Sequence, residues 1–186
     1  MNYRSLAALC AAMTAMAMPV HAEIDKTPST ACADICFATW WPKITLPVDW
    51  RQDEATSAKD NLNFLVPKDQ PAGAPDVFIY ASANLADEGR TLDDYVVADL
   101  TGFKGLDPAI AAEEIDPLTT ADGQALRVFR FDPGRPDGRW EEAAYGEETD
   151  ADNNRYVLVF VISGADRTHR DNNLGAFRGM ILNYRK

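Results

Sequence analysis

The sequence is poor in the side chains that most often carry out chemistry, and it is poor in positive charge. Its 186 residues include three cysteines and two histidines, and 18 basic residues stand against 29 acidic ones. The formal net charge of −11 would repel the phosphates of a nucleic acid, and it disfavours an anionic membrane surface. We therefore expect no nucleic-acid partner. The charge suits either solubility alone or binding to another protein that is basic.

The amino terminus lacks an apolar run long enough to cross a bilayer as a helix. Leu6–Met18 is apolar but too short to span, and it follows the basic start Met1–Arg4. Pro19 breaks the run, and Val20-His21-Ala22 is an A-x-A-like processing site. We predict that residues 1–22 are a signal peptide cleaved after Ala22, which leaves no membrane anchor and a periplasmic or secreted chain. An uncleaved anchor is the alternative.

Two cysteines, Cys32 and Cys36, remain after that cleavage. Because exported proteins enter an oxidising compartment, we expect a structural disulfide between them. The four-residue spacing puts both side chains on one face of a helical segment, at a separation that a bridge can close. Free thiols are one alternative. A redox site is another, although Cys32-Ala-Asp-Ile-Cys36 has one residue more than a C-x-x-C motif.

No recognisable catalytic or metal-binding motif is present among the remaining residues. His169 is the only histidine left after cleavage, no nucleophile is marked for it, and Ser163-Gly164 lacks the frame of a nucleophile elbow. Residues 150–154 begin like a calcium loop, but Arg155 stands where the loop needs glycine, so we predict a tight turn. We expect no catalysis, no cofactor and no metal ion.

Two glutamate pairs, Glu141-Glu142 and Glu147-Glu148, fall within one predicted strand. Alternation along a strand places Glu141 and Glu147 on one face and the other two residues on the opposite face. We expect these carboxylates to face solvent and to protect the edge of an outer strand. The alternative is a pair of carboxylates that does acid–base work in a sugar cleft.

Hydrophobic patterning predicts a chain of strands with two helices. The predicted strands lie at residues 62–66, Val77–Ser82, Ile110–Leu118, Ala125–Phe131, Arg139–Thr149 and Tyr156–Ile162. The last of these is an unbroken apolar run, which is typical of a central strand covered on both faces.

The first helix begins after Thr91, a capping residue, and its apolar face is Leu92, Tyr95, Val96, Leu100 and Phe103. The second helix runs from about Asp166 to Tyr184, with Leu174, Phe177, Ile181 and Tyr184 as its apolar stripe. We expect Gly175 and Gly179 to let this helix lie close on the sheet, since each glycine otherwise weakens a helix.

The chain thus passes from Leu46-Pro47-Val48-Asp49-Trp50 through a strand ending at Pro67 to the Val77–Ser82 strand. A helix, a long hairpin, the central strand and a last helix with Phe177 and Ile181 follow. This order resembles the PsbP-like superfamily over roughly residues 46–184. The resemblance implies an α+β fold, an antiparallel sheet covered by helices on both faces, and binding of other proteins without catalysis. Residues 46–186 would form this domain, and 23–45 a leader.

The leader contains the best candidate for recognition, Trp40-Trp41, and the long hairpin contains a second, Trp140 with Tyr145. Large aromatic side chains are costly to leave in water. Each pair therefore either packs against the domain or forms an exposed patch that anchors a partner.

We interpret the sequence as that of an exported, non-enzymatic protein-binding or accessory module of a bacterial envelope or secretion system. The first alternative is a periplasmic immunity or inhibitor protein that plugs a basic toxin, which needs acidic residues focused on one surface. The second is an enzyme that acts on envelope carbohydrate, which needs two carboxylates in a cleft with shifted pKa values.

Processing and the disulfide can be tested by one measurement. Mature protein purified from an envelope fraction should begin at Glu23, and its intact mass should be two hydrogens below that of the reduced chain. Protein that mostly retains Met1 would reject the signal peptide. Two thiols that alkylate without prior reduction would reject the bridge.

Overall fold

The computed structural model describes residues 24–28, 38–71 and 73–185. Its strands and helices are, in chain order, β1 (Ile24–Pro28), β2 (Ala38–Pro42), β3 (Trp50–Gln52), α1 (Glu54–Asp60), β4 (Asn63–Pro67), β5 (Val77–Leu85), α2 (Leu92–Leu106), β6 (Ala111–Thr119), β7 (Ala125–Asp132), β8 (Trp140–Thr149), β9 (Arg155–Gly164) and α3 (Arg167–Leu182).

Seven of these strands form one antiparallel sheet in the order β3-β4-β5-β9-β8-β7-β6. Strand β9 lies between β5 and β8, so the prediction of a central strand is confirmed. The hairpin predicted between Ala125–Phe131 and Arg139–Thr149 is also confirmed, as β7 paired with β8. Strands β1 and β2 form a separate two-stranded sheet, and β2 packs against β5. The α+β class and the antiparallel sheet predicted from sequence are therefore correct.

The pleat of the sheet divides the core into two clusters. Leu158 and Phe160 of β9 belong to one cluster, together with Phe177 and Ile181 of α3. The intervening residue of β9, Val159, packs against the other cluster, which includes Val96 of α2. Because successive side chains of a strand point to opposite faces, the two clusters lie on opposite sides of β9.

Both long helices begin close to where the sequence predicts, and Thr91 is the cap that it predicts for α2. Thr91 and Asp94 form a capping box, in which the Asp94 backbone N–H donates to Thr91 Oγ1 (3.2 Å) and the Thr91 N–H donates to Asp94 Oδ2 (2.8 Å). Asp166 caps α3 by accepting from the His169 N–H at 2.8 Å. Among the described residues, neither these helices nor α1 have the length and apolarity needed to cross a bilayer.

Helix α1 is not among the predicted helices, because it is short and its sequence is polar. Asp53 caps it by accepting from the Thr56 hydroxyl at 2.8 Å, and Asn61 ends it in the left-handed conformation with φ of 58°. Ser57 is buried and its hydroxyl accepts from the Phe64 N–H at 3.0 Å, which joins the helix to β4. Hydrophobic periodicity cannot detect a helix that is held by caps and polar contacts.

The role expected for Gly175 and Gly179 is wrong. A Cβ atom built at either position meets no other heavy atom within 4 Å, so neither glycine permits a close approach to the sheet. Both instead border an open groove beside Leu46, Pro47 and Val48. The apolar stripe that identified the helix does not specify what lies over its small residues.

Replacing either glycine by alanine should therefore stabilise the protein. Gly175→Ala and Gly179→Ala should each raise the free energy of unfolding by up to about 1 kcal/mol, because alanine is the better helix former and nothing obstructs its methyl group. Denaturant titration gives the values. Gly164→Ala is the opposing control, since its Cβ would lie 2.5 Å from the Arg170 backbone nitrogen and should destabilise. A loss of stability in the first two variants would contradict this account.

Candidate functional site

The described residues contain no group of three or more histidine, cysteine, aspartate or glutamate side chains that could hold a metal ion. The calcium-like segment is the tight turn that the sequence predicts. Asp150 Oδ1 accepts from the backbone N–H groups of Asp152 (2.9 Å) and Asn154 (2.8 Å), and Asn153 has φ of 65°. An aspartate that satisfies its own following backbone is a turn former, so its carboxylate has a structural role here.

His169 lies in the first turn of α3 and is partly exposed. Its Nδ1 is 2.9 Å from a carboxylate oxygen of Asp166 and its Nε2 is 3.8 Å from one of Asp76, and the side chain is 39% exposed. Asp166 is already engaged as the helix cap. The contacts of the imidazole are therefore those of a residue that orders the start of α3.

Cys32 and Cys36 lie outside the described residues, so the disulfide stays a prediction.

The aromatic residues proposed for recognition have different environments. The backbone of Trp40 belongs to β2, opposite Lys26. Trp41 is half-buried, and its indole Nε1 donates to Asn61 Oδ1 at 3.0 Å, so this ring packs against the domain.

Trp140, at the start of β8, is half-buried against α3. The guanidinium carbons of Arg167 and Arg170 lie 4.6 Å and 5.6 Å from the centre of its ring system. Arg170 is almost fully buried and pairs with Asp132 at 3.2 Å and with Asp171 at 2.8 Å. The indole is thus part of a cation–π and ion-pair cluster that joins α3 to the sheet.

The expectation that the four glutamates protect an outer strand is wrong, because β8 lies inside the sheet between β7 and β9. The predicted alternation is correct, but it directs Glu142 and Glu148 into the protein, where both are buried. Glu142 has no exposed surface and accepts from Arg130 at 3.1 Å and Arg178 at 3.0 Å. Buried carboxylates are retained only with such partners.

Tyr145, the remaining candidate for recognition, lines a groove between α2 and the sheet. The groove has a volume of about 430 Å³, within the range of small-ligand sites. Its floor is formed by residues of β5, β8 and β9, and one wall by α2. The residues that line it, called the α2 groove below, are Tyr80, Ser82, Asn84, Tyr95, Ala98, Asp99, Tyr145, Val157 and Val159.

A tyrosine–aspartate pair connects the floor of the α2 groove to its wall. The Tyr145 hydroxyl donates to Asp99 Oδ2 at 2.5 Å, and Tyr145 is 1% exposed. Burial, followed by the charge of Asp99, raises the pKa of Tyr145. Burial also raises the pKa of the half-buried Tyr80, with Glu141 and Asp99 adding to the effect. Both phenols are therefore neutral hydrogen-bonding groups at physiological pH.

Glu141 lies near the same pair, at the start of β8. Its carboxylate accepts from the Ser163 hydroxyl at 2.7 Å, and that hydroxyl accepts from Arg139 Nε at 2.8 Å. Burial raises the pKa of Glu141, against the opposing effects of the Ser163 hydrogen bond and the Arg139 charge. The carbohydrate-enzyme alternative requires a carboxyl group with a shifted pKa, and Glu141 has a raised one.

A row of aromatic rings continues from the α2 groove across β5 to β4. The centres of the Phe64 and Phe78 rings are 4.8 Å apart, those of Phe78 and Tyr80 are 6.5 Å apart, and all three residues are half-buried. Arg139 lies over Phe78, with 4.6 Å from its guanidinium carbon to the ring centre. We call Phe64, Phe78 and Tyr80 the aromatic shelf. Helix α2, which forms one wall of the neighbouring groove, packs chiefly on β8.

Sequence reasoning missed Tyr80, Phe78 and Asp99 as members of a site. The strand patterns mark the two aromatic residues as core residues. Asp99 lies within the predicted first helix, directly before Leu100 of its apolar face. Their proximity to Tyr145 depends on the pairing of β5 and β8 with β9. No family model matches the chain, and no curated protein matches its sequence.

Glu141→Gln should change how stability depends on pH. A carboxyl whose pKa is raised on folding contributes stability below its ordinary pKa, and that contribution is lost as pH rises through the folded value. Glutamine keeps an acceptor for Ser163 and does not ionise. The unfolding free energy of the variant minus that of the wild type should therefore increase from about pH 4 toward pH 7.

The control for this series is Glu113→Gln, at an exposed position of the edge strand β6. Chemical unfolding at each pH supplies the free energies. Parallel stability curves for wild type and Glu141→Gln across this range would contradict the assignment of a buried, destabilised carboxylate.

Proposed function

We propose that the chain is an exported, non-enzymatic module that binds another protein through the α2 groove and the aromatic shelf. The observation that carries the proposal is the continuity of these two features. Half-buried aromatic rings and a formed groove with an acidic wall share one side of the sheet. Aromatic residues in partly desolvated positions are the usual anchors of protein interfaces.

The fold supports the same proposal. One buried cluster contains residues of α3 and the other contains residues of α2, on opposite sides of β9. We propose that this arrangement is the PsbP-like α/β/α sandwich implied by the order of elements. Since a shared fold specifies neither a function nor a partner, the evidence for a partner must come from the chemistry of the surface.

The chemistry of the surface favours a basic partner. The net charge is −11, and it becomes about −12 when residues 1–22, whose only charged side chain is Arg4, are removed. Four exposed acidic residues lie at and before the start of α2, namely Asp87, Glu88, Asp93 and Asp94. Complementary charge accelerates encounter and selects among partners.

The distribution of charge argues against an inhibitor that works as an acidic plug. Exposed carboxylates also occur on the other two helices, at Asp60, the last residue of α1, and at Asp171 of α3. The edge strand β6 carries Glu113, Glu114 and Asp116, which, together with Pro117, discourage pairing with another strand. Part of the negative charge therefore serves to keep the edge strand β6 from pairing with another strand.

One observation favours a second candidate, an enzyme that acts on envelope carbohydrate. Glu141 has a raised pKa, and the charge of Asp99 contributes to it. Both carboxylates are nevertheless held by neighbours, Glu141 by Ser163 and Asp99 by Tyr145. A positioned acid would need a free proton path to its substrate, so the binding module is the better supported function.

The proposal predicts a partner whose capture depends on the shelf and on salt. Tagged mature protein should be cross-linked in its own cells and purified from envelope extracts. Phe78→Ala should reduce recovery of a basic protein or domain about tenfold, since a truncated anchor costs 1–2 kcal/mol or more. Recovery should also weaken with salt, because exposed charges are screened within ~10 Å at 0.1 M.

Leu182→Ala is the matched control, because Leu182 is an exposed apolar residue at the end of α3. This variant should recover the partner as the wild type does. Melting temperatures establish that both variants are folded. Equal recovery by wild type and Phe78→Ala, at low and at high salt, would reject the proposed surface.

A further inference from the structure

We propose that the α2 groove binds a cationic side chain of the partner, with a guanidinium group as the best fit. The inference rests on the proposed protein-binding function and names the chemistry that the partner must present. A single arginine would enter between α2 and the sheet, with Asp99 as its counter-charge and tyrosine rings as the walls.

Asp99 is an acidic residue of the groove with no ion-pair partner among the described residues. Its carboxylate accepts a hydrogen bond from the neutral Tyr145. Neighbouring acids differ, because Asp93 pairs with Arg127 at 2.5 Å and Glu147 pairs with Arg155 at 3.2 Å. Asp99 is exposed, so an external cation can reach its carboxylate.

The aromatic lining of the α2 groove also suits a cation. Tyr80, Tyr95 and Tyr145 all border the groove. The electron-rich faces of such rings attract cations, and arginine is the side chain that uses them most often. The protein already makes this contact at the groove wall, where the guanidinium carbon of Arg90 lies 4.1 Å from the centre of the Tyr95 ring.

The α2 groove also contains hydrogen-bond acceptors for a guanidinium group. The Tyr80 hydroxyl has no hydrogen-bond partner among the described residues, and its raised pKa keeps it neutral. Ser82 and Asn84 add a hydroxyl and an amide oxygen at the same groove. A guanidinium carries five N–H donors in a planar fork, more than an ammonium group, and it has no acceptor. An anionic group would instead face Asp99.

The test uses a probe that isolates the side chain from the rest of the partner. The probe is an acetylated, amidated pentapeptide of four glycines with a central arginine, and the same peptide with citrulline is the neutral isostere. Each is titrated into ¹⁵N-labelled mature protein at low salt. The arginine peptide should shift the backbone amide signals of Ser82, Asp99 and Val159, and the citrulline peptide should not.

Asp99→Asn should weaken binding of the arginine peptide about tenfold, since a hydrogen-bonded charge is lost while the acceptor for Tyr145 is kept. Tyr80→Phe keeps the ring and removes the hydroxyl, and it should weaken binding less. Asp116→Asn makes the same change of charge on β6 and should leave the affinity unchanged. The corresponding lysine peptide should bind more weakly than the arginine peptide.

Two results would overturn the inference: equal binding of the arginine and citrulline peptides, or an affinity unaffected by Asp99→Asn. Partner capture separates this failure from failure of the proposed function. A partner recovered equally by wild type and Asp99→Asn would reject the cation site and leave the binding module in place. Loss of recovery in Asp99→Asn, with recovery retained in Asp116→Asn, would support both.

Discussion

Strand β9 is buried on both of its faces, and the positions of the other elements follow from that constraint. Its side chains alternate between the cluster that contains α3 residues and the cluster that contains Val96 of α2. A strand with no polar face needs backbone partners on both edges and apolar cover on both sides. Strands β5 and β8 supply the hydrogen bonds, and the two buried clusters supply the cover.

This arrangement determines what happens to the charges of β8. A strand next to the centre of the sheet directs alternate residues into each cluster, so Glu142 becomes fully buried and requires Arg130 and Arg178. On the other face of β8, Glu141 and Tyr145 point to the side of α2, where Asp99 and Ser163 complete their hydrogen bonds. The polar groups of the proposed site are thus a consequence of the central position of β9.

The features that depend on local sequence were predictable. The apolar run Tyr156–Ile162 identifies the central strand, and Thr91 identifies the start of α2. The hairpin of β7 and β8 follows from two strands flanking a segment rich in proline and glycine. In each case the physical cause lies within a few residues of its effect.

The features that depend on strand order were not predictable in the same way. The expectation of an outer strand at Arg139–Thr149 is wrong because the residues of β8 do not encode that β9 and β7 flank it. The α2 groove has the same origin, since Tyr80, Asp99 and Tyr145 meet only through long-range pairing. Helix α1 was not predictable for a different reason. Caps and a buried serine stabilise it, and it has no apolar stripe.

The central claim is that partners bind on the side of the sheet that carries the α2 groove and the aromatic shelf. Site-specific photo-cross-linking in living cells tests it most directly, with a photoreactive phenylalanine placed at Asn84, beside the groove, or at Leu182, on α3. The account predicts a covalent adduct to the partner from position 84 and none from position 182. Adducts from position 182 alone would contradict it.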